Sequence, residues 1–203
     1  MSKIKENSGV LVQGHIKIHD PESGAVFVNK RNAIHYENMS IALAESVANA
    51  GQGFISSMAF GNGGTSVDPT GIITYLTPNS TGTNASLYNQ TFTKIVDDRS
   101  VSNLDPQRNK IETRHVNGTN YTDVVVTCLL DYGEPNGQDA TDTASASDSL
   151  YVFDELGLVS YASSGTGKLL THVIFHPVQK SLNRLIQIDY TVRVQSLTGF
   201  NEG

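Results

Sequence analysis

Residues 29–64, NKRNAIHYENMSIALAESVANAGQGFISSMAFGNGG, carry the strongest local structure signals in this 203-residue chain. Apolar residues recur there at steps of three and four, which predicts one α-helix over about residues 37–50. The apolar positions form two adjacent lines, which are Met39, Leu43, Val47 and Ala50, and Ile41, Ala44 and Ala48. A helix with so little polar surface is expected to be buried on more than one side, in the core of a domain or at a subunit interface.

The ends of this helix have recognisable signals. His35 or Asn38 is suited to cap its start, and Gly51 is suited to the position just past its end. A short apolar strand is predicted next, over residues 54–60, and the glycine-rich segment 61–64 interrupts it. Its glycines permit positive φ angles and a tight reversal.

Two glycine-rich segments differ from the pattern of a phosphate-binding loop. Residues 61–64 are followed by no Lys-Ser/Thr pair and open no helix, so they lack the features of a phosphate-binding loop. Residues 163–169, SSGTGKL, resemble such a loop faintly, but Ala162 replaces the first glycine and Leu169 replaces the magnesium-binding Ser or Thr. We predict a hairpin tip there.

Most of the remaining chain alternates polar and apolar residues, which is typical of antiparallel strands with one buried face. The longest alternation is 184–195, with Ile186, Ile188 and Tyr190 on one face. The predicted strands are 10–19, 25–28, 54–60, 72–76, 88–96, 111–116, 121–130, 150–153, 156–161, 169–175 and 184–195. We predict a mainly β fold, an antiparallel β-sandwich-like domain with one buried α-helix and long polar loops.

The chain divides into three predicted parts: a flexible arm at 1–8, a single β-rich domain at 9–197 and a tail at 198–203. Long polar loops are predicted at about 77–87 and 132–148. The second loop contains Glu134, Asp139 and Asp142, with Asp131 and Asp148 at its edges. These carboxylates lack the alternating ligands, central Gly and distal Glu of a calcium loop, so a solvated surface loop is predicted.

Charge and composition exclude several classes of partner. The formal net charge is −6 and the basic residues do not cluster, which argues against direct nucleic-acid binding. No apolar run reaches the ~20 residues of a membrane span, and the polar start MSKIKENSG is unlike a secretory leader. The single Cys128 lies in an apolar strand, which favours a buried thiol and a reducing compartment.

The sequence contains no convincing catalytic, cofactor-binding or metal-binding constellation, so the predicted sets of such residues are empty. His15 and His19, like His172 and His176, are four residues apart in strand-like segments. Four residues of strand span ~13 Å, which is too far for one tetrahedral metal ion. These histidines are therefore expected at the surface or facing a partner.

Two longer parts of the chain are NAIHYENMSIALAESVA followed by MAFGNGGT, and FDELGLVSYASSGTGKLLTHVIFHPVQKSLNRLIQIDYTVRV, which together cover about a third of it. They are similar to virion structural proteins of tailed bacteriophages. The resemblance implies a non-enzymatic assembly protein, a homo-oligomeric ring component of the head–tail neck, collar or tail. It also implies contacts with other virion proteins after assembly in the bacterial host cytoplasm.

Two alternatives remain open at this point. One is a carbohydrate- or receptor-binding β-sandwich module of a tail fibre or baseplate, which requires exposed aromatic residues. The candidates for that role are Tyr75, Tyr88, Tyr121 and Tyr161. The other is a hydrolase that acts on cell-wall glycan, which requires a cleft with perturbed carboxylates.

Overall fold

The computed structural model describes residues 5–135 and 150–201. Within these residues the chain forms eleven strands and one helix. The strands are β1 (Lys5–His19), β2 (Val26–Ile34), β3 (Ile55–Gly61), β4 (Thr65–Val67), β5 (Ile73–Tyr75), β6 (Gln90–Ile95), β7 (Lys110–His115), β8 (Tyr121–Leu130), β9 (Leu150–Ser160), β10 (Thr171–Ser181) and β11 (Ile186–Asn201). The helix is α1 (Tyr36–Val47) and lies between β2 and β3.

Nine of these strands form one curled antiparallel sheet, in the order β6-β3-β9-β10-β2-β1-β11-β8-β7, while β4 and β5 pair separately. Two half-sheets meet where β10 pairs with β2 through only two residue pairs, Thr171↔Ile34 and His172↔Ala33. The edge strand β6 approaches the other half-sheet, since Lys94 on β6 donates to the Leu129 carbonyl on β8, 2.6 Å away. The predicted mainly β, sandwich-like fold with one helix is confirmed.

The core lies inside the curl and draws on both half-sheets. Alternate residues of β11 point into it, as the period-two pattern predicts, and Ile186, Ile188 and Tyr190 have no exposed surface. From the other half-sheet, Phe153 packs edge-on against Phe60 at a ring separation of 5.4 Å. The continuous apolar cluster explains why two half-sheets with so few shared backbone bonds stay together.

The helix forms as predicted but is shorter and less buried. His35 is its N-cap, and the ring Nδ1 accepts from the Asn38 backbone N–H at 3.1 Å. Asn49, not Gly51, takes the left-handed position after the helix, with φ 51°. The Ala50 and Asn49 N–H groups then donate back to the carbonyls of Glu45 and Ser46, which closes the last turn.

Only one face of α1 is covered. Asn38, Met39 and Ala42 are buried, whereas Tyr36 is 73% and Val47 is 88% exposed. The expectation that the helix is buried on more than one side is therefore wrong within this chain, because the curled sheet offers it a single surface.

Several strand boundaries differ from the prediction, and β2 for example continues to Ile34, beyond the predicted end at residue 28. Two of the differences involve residues that were expected to interrupt a strand. Residues 154–155 do not separate two short strands, because β9 runs unbroken through them. Pro177 does not end the following strand either, since β10 continues to Ser181. The pairing with β9 shifts between Ile174 and Val178, and this irregularity accommodates a residue that has no N–H to donate.

A two-stranded extension projects from the sheet. β1 and β11 pair from Lys5↔Asn201 to His19↔Gln187, whereas β2 joins β1 only from Gly14 onward and β8 joins β11 only up to Gln195. Residues 5–10 and 196–201 thus form what we call the protruding ribbon. Parts of the predicted arm and tail lie in it.

The predicted loop at about 132–148 is described only in part. Asp131 and Glu134 lie within the described residues, and they pair with Arg108 and Lys94, respectively. The other three carboxylates of that loop, Asp139, Asp142 and Asp148, lie outside the described residues.

Candidate functional site

The most unusual cluster in the described fold is a buried carboxylate pair on β9. The exposed fractions of Asp154 and Glu155 are 4% and 0%. Glu155 accepts four hydrogen bonds, and each of its oxygens takes two. The donors are the backbone N–H groups of Gly63 (3.1 Å), Asn89 (2.8 Å) and Tyr88 (3.0 Å) and the ring Nε2 of His172 (2.9 Å).

His172 completes this network from the neighbouring strand β10. Its ring has no exposed surface, and its Nδ1 lies 2.8 Å from the backbone nitrogen of Asn79. A backbone N–H can only donate, so Nδ1 carries the lone pair and Nε2 carries the hydrogen that Glu155 accepts. The imidazole therefore connects a buried carboxylate to the 77–89 loop, the segment between β5 and β6.

The two carboxylates have opposite pKa shifts. Burial acts to raise the pKa of Glu155, but the hydrogen bonds from His172 and from the backbone of Asn89, Tyr88 and Gly63 outweigh it and hold the pKa below its usual value. Burial raises the pKa of Asp154, although the Thr65 hydroxyl and the N–H groups of Gly64 and Thr65 oppose that effect. The negative charge of Glu155 is thus better stabilised by hydrogen bonds than that of Asp154.

The glycine-rich segment 61–64 is needed for close approach to this cluster. A Cβ on Gly61 would lie 2.6 Å from a Glu155 oxygen, and one on Gly63 would lie 2.7 Å from the Asn89 nitrogen. Neither residue has a positive φ angle, so the predicted role of these glycines in a left-handed reversal is wrong. The N–H groups of Gly63 and Gly64 bind the protein's own carboxylates.

The cluster is best described as a clamp, because solvent does not reach it and its polar atoms bind each other. We call Asp154, Glu155 and His172 the buried clamp. It attaches both the 61–65 segment and the 77–89 loop to the sheet. The sequence does not reveal this cluster, because its pattern predicts a break between two short strands at residues 154–155 and no pattern brings residue 172 next to residue 155.

The sequence-selected histidines and the cysteine have clear positions. His15 and His176 are exposed, and His19 is half-buried 2.9 Å from an Asp189 oxygen. His172 contradicts the expectation of surface histidines, because its ring binds Glu155 inside the fold. Cys128 is fully buried as predicted, and burial raises its thiol pKa to about 12.

The four candidate tyrosines have different environments. The hydroxyl groups of Tyr75 and Tyr88 bind His176 Nδ1 (3.2 Å) and the Thr77 carbonyl (2.7 Å), respectively. Tyr121 lies under the Arg193 guanidinium, 3.8 Å from the ring centre. Tyr161 stacks on Phe54 at 4.9 Å and borders a groove, and its ring is 41% exposed.

A second ordered loop presents apolar side chains to solvent. The side-chain N–H₂ of Asn103 donates to the carbonyls of Asp97 (3.2 Å) and Asn109 (2.8 Å) inside the 97–109 loop. Asn109, which is 1% exposed, accepts from the Leu129 N–H at 2.9 Å and so attaches the loop to β8. On this braced backbone Val101 is 100% exposed and Leu104 is 97% exposed.

Two further findings bear on the predicted classes of site. Among residues 5–135 and 150–201, no three His, Cys, Asp or Glu side chains are grouped so as to hold a metal ion. No helix in the same part of the chain is both long and apolar enough to span a membrane.

Comparison with known proteins identifies no relative. No protein-family model, no curated protein and no solved structure matches the chain.

Proposed function

We propose that this chain is a non-enzymatic structural subunit of a tailed-phage virion. In this proposal it forms a homo-oligomeric ring at the head–tail neck, collar or tail, and it works through contacts with itself and with other virion proteins. Assembly takes place in the host cytoplasm. The proposal rests on the sequence resemblance described above and on surfaces suited to protein–protein contact.

The observation that carries the proposal is the pair of exposed apolar side chains on the 97–109 loop. Exposed aliphatic residues are common singly, but Val101 and Leu104 lie on a loop whose backbone is braced by buried Asn103 and Asn109. A braced loop presents them with little loss of conformational entropy on binding. This geometry supports insertion of the Val101 and Leu104 side chains into an apolar recess of a neighbouring subunit.

Unpaired strand edges provide a second kind of contact. Residues 5–13 of β1 pair with β11 on one side, and no described strand pairs with them on the other. The outer edges of β6 and β7 are likewise without a partner strand in the described fold. An exposed strand edge can accept a strand from a neighbour through backbone hydrogen bonds, a common mode of subunit association.

The exposed face of α1 adds apolar surface, because Tyr36 and Val47 point away from the core. Contacts between different patches of identical subunits form a closed ring when the repeated rotation from one subunit to the next returns to the first subunit. The braced loop, the strand edges and the helix face are three different patches, which supports a head-to-tail arrangement.

The test is the molar mass of the purified protein by light scattering, with negative-stain images of the same peak. We expect one closed ring of defined subunit number. The double substitution Val101→Ser with Leu104→Ser is expected to shift the protein to monomer while its far-ultraviolet circular dichroism spectrum stays that of the natural protein. A matched double substitution at Val67 and Ile72, exposed residues beside β4 and β5, serves as the control and is expected to leave the ring intact.

A protein that stays monomeric at every concentration, alone and with lysate of phage-infected bacteria, would contradict the proposal. So would a ring that both double variants form equally well, since the 97–109 loop would then have no part in assembly.

A further inference from the structure

A groove of about 560 Å³ lies between the 77–89 loop and the turn that joins β9 to β10. Residues 83–87 form one wall, and residues 161–169 form the other. Its volume is within the roughly 300–1,000 Å³ range of small-molecule sites. The virion proposal makes no use of this groove.

The floor of the groove is apolar and its rim is polar. Leu87 and Leu169 are 4% and 3% exposed and form, with Ala59, a small apolar cluster separate from the main core. The rim carries hydroxyl and amide side chains, which are Ser56, Thr83, Asn84, Gln90, Thr93 and Thr166. A lining of this kind suits an amphipathic ligand that has one apolar face and many hydroxyl groups.

An aromatic ring stands at one end of the groove. Tyr161 lies nearly parallel to Phe54, with an angle of 8° between the rings, and the Arg99 guanidinium lies 5.1 Å from the Phe54 ring centre. Phe54 covers one face of Tyr161, so a ligand stacks on the opposite face. The C–H face of a pyranose ring is suited to such stacking.

The charge of the groove is distinctive in this acidic chain. Among the residues that the structure describes, no carboxylate lines the groove, and Lys168 is the only charged residue in its lining. The amine of Lys168 forms no ion pair with any residue that the structure describes, whereas the amines of Lys94 and Lys180 both bind backbone carbonyls. An acidic substituent on the ligand would find an unpaired cation here.

Both walls are held in place before any ligand arrives. Ser160 and Lys168 exchange two hydrogen bonds of 2.9 and 3.0 Å, and a Cβ on Gly167 would lie 1.7 Å from the Ser160 oxygen, so only glycine fits there. The opposite wall is braced by the Asn79 amide, which donates to the Ser86 carbonyl at 2.8 Å. The buried clamp holds the same loop, which gives that clamp a role in shaping the groove.

We propose that this groove binds a segment of an oligosaccharide that carries a carboxylate, such as a uronate-containing bacterial surface glycan. Tyr161 stacks on one sugar ring, the hydroxyl and amide rim binds the sugar hydroxyls, and Lys168 binds the carboxylate. The site needs no metal ion and no chemical step.

The first experiment screens the intact protein against an array of defined neutral and uronate-containing bacterial oligosaccharides. The strongest binder is then titrated by calorimetry beside its carboxyl-reduced form. Tyr161→Ala is expected to weaken binding of both forms by about tenfold. Lys168→Gln is expected to weaken binding of the acidic form by about tenfold and to leave the reduced form unchanged.

Two matched controls separate the groove from general effects. Tyr132→Ala removes another exposed tyrosine, and Asn29→Asp adds a charge on β2, so both should bind like the natural protein. Asn84→Asp adds the same charge at the rim and should weaken the acidic form selectively. Thermal unfolding of each variant shows whether lost binding reflects lost folding.

Three outcomes would overturn the proposal. In the first, the array retains the protein on no saccharide. In the second, Lys168→Gln and Asn84→Asp bind the acidic saccharide as tightly as the natural protein does. In the third, the protein prefers an oligothymidylate probe, which would indicate a nucleotide site. None of these outcomes changes the subunit number of the ring, so the two proposals fail independently.

Discussion

Two irregular loops of this protein are rigid for different reasons. The 77–89 loop is held by a buried carboxylate and an imidazole, since its backbone N–H groups bind Glu155 and His172. The 97–109 loop is attached to β8 by a neutral amide, since buried Asn109 binds the Leu129 N–H and a carbonyl of the loop. The carboxylates of Asp97 and Asp105 also accept from N–H groups within this second loop. Both arrangements satisfy backbone groups that a loop otherwise leaves to water.

The difference lies in what each loop can tolerate. Removal of a buried charge leaves several polar groups unsatisfied at once and in a dry environment, whereas removal of an amide leaves only one or two. A carboxylate also titrates, so the contribution of Glu155 to the first loop depends on pH, whereas the contribution of the Asn109 amide to the second does not. Substitutions in the two loops are expected to show this contrast.

Glu155→Ala is expected to lower the free energy of unfolding by about 3–5 kcal/mol, because it strands three backbone N–H groups and the His172 ring inside the protein. Urea unfolding measures the effect. Glu112→Ala on β7, which removes a half-exposed carboxylate paired with Lys110 and Arg114, is the control and should cost far less, because solvent screens these ion pairs. Equal losses would show that Glu155 has no special role.

The contribution of Glu155 is expected to vanish in acid. Its pKa in the folded protein lies below the ordinary value of 4.5, so its stabilising effect is complete above that pH and is lost as the pH falls through the folded-state value. We therefore expect the stability difference between the natural protein and Glu155→Gln to shrink as the pH falls below the ordinary glutamate value of 4.5. Asp154 is present in both proteins, so the effect of its raised pKa on stability largely cancels in the difference between them. A difference that stays constant with pH would rule out a charged Glu155.

Asn109→Ala is expected to lower the free energy of unfolding by about 1–3 kcal/mol, because it leaves the buried Leu129 N–H without its acceptor. The loss should not vary with pH, in contrast to that of Glu155. Asn109→Asp keeps an acceptor for Leu129 and should retain part of the stability. Hydrogen exchange at the Leu129 amide locates the effect, and unchanged protection there in Asn109→Ala would contradict this explanation.

Val101→Ser is expected to change the free energy of unfolding of the dissociated monomer by less than about 0.5 kcal/mol, because its side chain makes no buried contact in the chain. Thermal unfolding at low protein concentration is the measurement. Val126→Ser on β8 is the opposite case, because the Val126 side chain is fully buried. This substitution is expected to lower the free energy of unfolding severely. A large effect of Val101→Ser on the monomer would mean that this side chain packs within the chain.

Local sequence patterns predicted those helices and strands whose formation depends mainly on interactions between neighbouring residues. The 121–130 strand was placed with the bounds that the structure has, because its apolar run packs in the core and its turn contains Gly118 at φ 86°. The helix was also found, since its apolar spacing and the capping ring of His35 are local signals. Its partial exposure was missed, because the sequence does not show how many surfaces cover an apolar face.

The candidate sites could not be predicted from the sequence for a different reason. The groove combines residues of β3, β6 and two loops that are up to about a hundred positions apart along the chain. The buried clamp joins residues 63, 89, 155 and 172, and single glycines and acids are uninformative until strand pairing brings them together. No local period encodes such a cluster.

Local patterns were sufficient to predict the mainly β class, the single helix, the strand over residues 121–130 and the burial of Cys128. Each follows from periodicity or turn chemistry over a few neighbouring residues. Tertiary packing, in contrast, sets the order of strands in the curled sheet, the pairing of Glu155 with His172 and the exposure of Val101 and Leu104. These features depend on which distant segments share the core, and that is set by the packing of the whole chain.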